Sequence, residues 1–109
     1  SAEMLRPAMG ADFTPVNGFV KIHFQGTVPA IADDADQPLL LKIYTNQGAS
    51  NPPMLRFSPP ITDRDQAKGQ WTFAITPRLR LRPGVYYYIL ERSADEDMLF
   101  VGKFTVGRH

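Results

Sequence analysis

Residues 69–76 alternate: Trp71, Phe73 and Ile75 fall on one side, and Gln70, Thr72 and Thr76, with the small Ala74, on the other. In an extended chain successive side chains point to opposite faces, so this period of two predicts a strand with one buried face and excludes a helix. The same period recurs at Val20, Ile22 and Phe24 against Lys21, His23 and Gln25, again a half-buried strand. Gly26 and Pro29 are expected to end it.

The rest of the chain is punctuated in the way short strands require. Asp33-Asp34-Ala35-Asp36-Gln37-Pro38 reads as a loop, because acidic side chains bond local backbone groups and proline lacks a donor. A strand then fits residues 39–45, where the run Leu39-Leu40-Leu41 indicates burial on both faces at one end. After a loop at residues 46–53, Met54-Leu55-Arg56-Phe57 is a further short strand, and Pro59-Pro60 confine it to a sheet edge. Residues 61–68 read as a loop, since the one helical turn conceivable there is too short to persist alone. Pro77 closes the strand that contains Trp71. Val85-Tyr86-Tyr87-Tyr88-Ile89-Leu90-Glu91, a polar turn at Ser93-Ala94-Asp95-Glu96-Asp97, and residues 98–101 form a hairpin, with Gly102 interrupting before residues 103–106.

Two divisions follow: an arm over residues 1–18, with no sustained period, and a β domain over residues 19–109. The arm is either flexible or a strand donated to a partner. Five to seven short strands and no amphipathic helix of useful length predict an all-β fold, and the expected class is an immunoglobulin-like antiparallel β-sandwich of about seven strands. The preference for a sandwich over a barrel rests on Leu81, Gly84 and Tyr86, whose order matches a tyrosine corner, in which a hydroxyl bonds back to upstream backbone.

At those residues the chain resembles the immunoglobulin-like domains of tailed-phage virion proteins, such as the N-terminal domain of baseplate upper proteins. The resemblance is carried by Gly84-Val85-Tyr86-Tyr87-Tyr88 and by Gly102-Lys103-Phe104-Thr105-Val106. Upstream, the similar order is an acidic loop, Gln37-Pro38-Leu39-Leu40-Leu41, a strand ending near Tyr44, and Gly69-Gln70-Trp71-Thr72-Phe73. Pro52-Pro53 and Pro59-Pro60 stand outside the pattern. The resemblance implies a non-catalytic part in building a tail, baseplate or head-associated structure, synthesis in the host cytoplasm, location in the virion, and no catalytic residue to transfer.

The chemistry available in the side chains agrees with a non-enzyme. The chain has no cysteine, which removes disulfides, thiolate metal sites and cysteine nucleophiles. Its two histidines are His23, on a strand flank, and His109, so no base is placed to activate a hydroxyl. No cofactor is implied. Asp33, Asp34 and Asp36 are hard-oxygen candidates for calcium, together with Asp95, Glu96 and Asp97, but their spacing matches no EF-hand and turn formation accounts for them. A net charge of +1 nominates no polyanion, and nucleic acid is not the expected partner. No apolar run approaches the roughly 20 residues that span a bilayer, so no membrane contact is expected.

The candidate partner-binding residues are therefore Tyr87, Arg78, Arg80 and Arg82. Tyr87 must face opposite to Tyr86 and Tyr88, while the three arginines alternate with Leu79 and Leu81 and share one face that could grip phosphate or an acidic partner. The expected partners are other virion or surface proteins, or further copies of the chain. The alternative is a carbohydrate- or surface-binding sandwich that uses Tyr87 and the loop at residues 46–53.

Overall fold

The computed structural model describes residues 8–16 as backbone and residues 19–31, 37–45 and 52–107 with their side chains. Among them are nine strands and no helix: β1 (Ala8–Val16), β2 (Phe19–Pro29), β3 (Leu39–Thr45), β4 (Leu55–Phe57), β5 (Ile61–Asp65), β6 (Gln70–Ile75), β7 (Arg78–Leu79), β8 (Gly84–Arg92) and β9 (Asp97–Val106). They form two antiparallel sheets. The first has the order β1-β2-β6-β5, with β7 also on β2, and the second the order β4-β3-β8-β9. This is the immunoglobulin-like arrangement, with β1, β2, β6 and β5 in the places of strands A, B, E and D, and β3, β8 and β9 in those of C, F and G.

Alternation explains which side of each strand turns inward. Val20, Ile22 and Phe24 of β2, Leu39, Leu41 and Ile43 of β3, Trp71 and Phe73 of β6, and Tyr86, Tyr88 and Leu90 of β8 are all buried in one core between the sheets. Phe24 lies at its centre. Its ring meets Tyr88 edge-on at 5.4 Å and Phe104 at 6.2 Å, so it bridges the two layers. Burying a Phe-sized side chain is worth about 2–3 kcal/mol, and edge-to-face geometry adds roughly 0.5–1.5.

Several expectations are corrected. The stretch read as an arm without an element contains β1, which pairs with β2 from Ala8 opposite Gln25 to Val16 opposite Phe19. Gly26 does not end β2, because residues 24–29 are held in register by β6; the strand runs on to Pro29, its last residue. Residues 61–65, read as loop, are the edge strand β5. Its side chains are mostly exposed, so it has no apolar alternation to reveal it. Pro77 does close its strand, since β6 ends at Ile75, but the ladder resumes beyond it. Phe24 pairs with Ile75 and Val20 with Leu79, so β7 resumes the register of β6 after a gap at residues 76–77. Ile22 N donates to Pro77 O at 3.2 Å, and the gap arises because proline has no N–H to return. Finally, β9 is continuous through Gly102, which sits opposite Tyr88; the bulge falls where Leu90 pairs with Phe100 and Glu91 with Met98, leaving Leu99 as the extra residue.

Candidate docking surface

Tyr86 fixes the corner that leads into β8. Its hydroxyl donates to the Arg82 carbonyl at 2.6 Å, the tyrosine-corner bond expected from sequence, and its ring stacks on Phe104 at 5.4 Å with 16° between planes. With Tyr86 and Tyr88 inward, Tyr87 turns outward and is half-buried.

Register shows what stands beside it. Across β3, β8 and β9 the outward residues form rows: Leu40–Glu91–Met98, then Lys42–Ile89–Val101, then Tyr44–Tyr87–Lys103. Val85 opposite Thr105 continues the surface, and Arg56 of β4 stands beside Lys42. Apart from three charges in the rows, this face is apolar or aromatic. Val85 is 38% exposed and Met98 42%, whereas Tyr44 and Ile89 are buried although neither belongs to the inter-sheet core. The described strands make two layers only, so no third layer of described residues covers it.

One ion pair sits inside this surface. Lys42 Nζ donates to Glu91 Oε1 at 3.1 Å and lies 3.0 Å from Oε2. That second oxygen is buried and accepts no hydrogen bond of good geometry. A carboxylate in such surroundings has capacity for one further donor.

The opposite outer face of the molecule is different in kind. Lys21, Gln25 and Thr27 of β2 are exposed there, with Thr72 and Ala74 of β6 beside Thr27 and Gln25. His23 lies among them and both ring nitrogens are engaged: Nδ1 is 2.8 Å from Thr76 Oγ1 and Nε2 is 2.9 Å from Gln25 Oε1. His23 is thus held by two neutral partners on a polar strand face.

The three arginines lie away from Tyr87, where β7 meets the start of β2. Leu79 and Leu81 are buried at 3% and 4%, which leaves Arg78, Arg80 and Arg82 exposed on the other side. Phe19 lies under two of them, with the guanidinium carbons of Arg78 and Arg80 at 5.5 and 5.0 Å from its ring centre. Tyr87 and the arginines are thus two surfaces and not one site.

Asp33, Asp34 and Asp36, the loop residues 46–51, and His109 lie outside the described residues. At the other acidic cluster, Asp95 Oδ1 accepts from Arg92 Nε at 3.0 Å and from the Asp97 amide at 3.1 Å, and Oδ2 accepts from Arg92 Nη2 at 2.7 Å. The Arg92 guanidinium, with help from the Asp97 amide, holds the Asp95 carboxyl below its ordinary range, while Asp95 in turn raises Arg92. These acids build the hairpin turn. No group of three or more His, Cys, Asp or Glu among the described residues is placed to hold a metal ion, and no helix is long and apolar enough to cross a membrane.

Sequence reasoning reached Tyr87 and read burial on both faces at Leu39-Leu40-Leu41, but missed Tyr44, Ile89 and Val101. For Ile89 the signal was the unbroken apolar run of β8, which in an antiparallel sheet calls for cover on both faces. Comparison with known proteins found no family model, curated relative or solved structure that matches the chain.

Proposed function

We propose that this chain is a non-catalytic structural module of a phage or prophage particle, and that a neighbouring subunit packs on the outer face of β3, β8 and β9. The observation that carries the contact is the two-sided apolar character of β8. Tyr86, Tyr88 and Leu90 fill the core, while Val85, Tyr87 and Ile89 face outward beside Tyr44 and Val101. A solvated antiparallel sheet face is ordinarily polar, as the opposite face of this molecule is; an apolar one marks an interaction surface. Arg56 and Lys103 favour acidic groups at its margin. The particle assignment is supported by the resemblance of the last two strands, Gly84-Val85-Tyr86-Tyr87-Tyr88 and Gly102-Lys103-Phe104-Thr105-Val106, to tailed-phage virion domains.

Antibody against the chain, applied to tailed particles purified from cells that carry its gene, is expected to label one fixed position on the particle. Tyr87→Asp is expected to abolish incorporation while leaving the isolated chain folded. Particles of normal morphology that lack the chain would overturn the assignment.

A further inference from the structure

The arginine corner has no use in that contact and carries its own argument. Arg78, Arg80 and Arg82 form no ion pair among the described residues, and two of their guanidinium groups share one phenyl ring. Lys21 is Arg78's partner in the ladder, and Asp12 is the residue opposite Lys21 on the other side, so strand register brings one acid near the cluster and none beside the arginines. Like charges held this close repel one another, and an anion relieves that repulsion.

The backbone that bears them is fixed at both ends. Pro77 O accepts from Ile22 N at 3.2 Å, Arg82 O accepts from the Tyr86 hydroxyl at 2.6 Å, and Leu79 and Leu81 anchor the residues between. The backbone of this comb of arginines is therefore preorganised, which lowers the ordering cost of binding. Only Arg78 lies in β7, but exposure alternates from Arg78 to Arg82, so the side chains follow the two-residue repeat of an extended chain, about 6.8 Å, which is also that of alternating carboxylates on an extended peptide. On β7 the side away from β2 has no strand partner among the described residues, which leaves room for such a peptide to lie alongside.

We infer that Arg78, Arg80 and Arg82 bind an extended acidic protein segment whose carboxylates recur at every second residue. Single-stranded nucleic acid has a similar phosphate repeat, but its sequence-tolerant binding relies on exposed aromatic faces. Here Phe19 lies beneath two guanidinium groups and Tyr86 is buried, so neither ring offers a stacking platform.

Fluorescence anisotropy at low salt with three labelled or competing probes tests this: an alternating Glu-Thr octapeptide, the same composition with its glutamates clustered, and a thymidine octanucleotide, with inorganic phosphate as competitor. The alternating peptide is expected to bind at least fivefold more tightly than the clustered one and than the oligonucleotide, and phosphate to compete weakly. Arg78→Gln/Arg80→Gln is expected to weaken it at least tenfold, and Arg82→Gln, which keeps the backbone carbonyl that Tyr86 needs, by a smaller factor. Each variant's melting profile verifies folding, and Lys68→Gln, in the exposed turn at the far end of β6, should bind as the parent does. Tighter oligonucleotide binding, equal binding of the two peptides, or no binding to any probe would overturn the inference. None of these outcomes depends on the contact at Tyr87.

Discussion

Gly102 sits where the Tyr88 ring crosses from β8 to β9. A Cβ built at Gly102 would fall on the Tyr88 hydroxyl and ring carbons, which belong to a stiff buried side chain and cannot move aside cheaply. This gives the Gly-x-Phe-x-Val strand a physical reason: the glycine admits a tyrosine ring, Phe104 stacks on Tyr86, and Val106 closes the core. Gly102→Ala is expected to destabilise by about 1–3 kcal/mol through overpacking. In urea melts, Gly102→Ala combined with Tyr88→Leu should cost less than the sum of the two single changes, because the clash is gone. Additive costs would mean the ring does not need the space. Tyr86→Phe keeps the stack on Phe104 and deletes only the bond to Arg82 O, for an expected loss of about 1–2 kcal/mol in the same measurement.

Between β3 and β8 the Lys42–Glu91 pair joins neighbouring strands across the outer face, with side-chain exposures of 19% and 10%. Lys42→Met strands a buried carboxylate, and the expected destabilisation is about 1–3 kcal/mol, less than for a fully buried pair because Lys42 keeps some water. Lys42→Met with Glu91→Leu should recover most of that loss in thermal melts; failure to recover would mean the pair is worth more than its apolar replacement. The β8–β9 hairpin offers a pH test. Asp95 titrates lower in the folded chain than in the unfolded one, so its contribution is present above the unfolded carboxylate range and is lost as pH falls through the folded value. Asp95→Asn should flatten the acid limb of the melting-temperature profile by a small amount, since the group is exposed, and leave the neutral plateau's shape unchanged. The elements that sequence exposed most plainly, β3, β6 and β8, are those whose inward residues alternate with a different kind of residue or run unbroken in apolar character. In β5, Asp63 and Arg64 are exposed, and Arg64 covers Trp71 at 4.7 Å from outside, so the strand owes its place to pairing with β6 and has no pattern of its own. β1 carries Pro15 and a glycine, and likewise depends on β2. The docking surface was legible at Tyr87 and, through the run Leu39-Leu40-Leu41, at Leu40, because a single strand tells which way a side chain faces, while Tyr44, Ile89 and Val101 become their neighbours only through the register of three strands.

At the scale of the whole molecule the two outer faces divide the work. One is threonine, glutamine, lysine and a hydrogen-bonded histidine; the other is tyrosine, leucine, isoleucine and valine around one ion pair. Water satisfies the first, while the second leaves Val85 and Met98 exposed and Leu40, Tyr87 and Val101 half-buried, apolar area that a further surface would cover. Removed from its partner, the chain should therefore associate weakly with itself at high concentration, through the face of β3, β8 and β9. Sedimentation velocity over a concentration series measures this as a rise in weight-average sedimentation coefficient. Val101→Glu and Tyr87→Ser should suppress the rise without lowering the melting temperature by more than a few degrees, because both side chains are partly exposed and outside the core. Thr27→Glu, on the polar face, should leave it as in the parent. The association should also survive added salt, since apolar burial is not screened as exposed charges are. Equal suppression by Thr27→Glu, or disappearance of the rise at high salt with Tyr87 and Val101 intact, would place the contact elsewhere and remove the argument that β8 is apolar on both sides because something binds there.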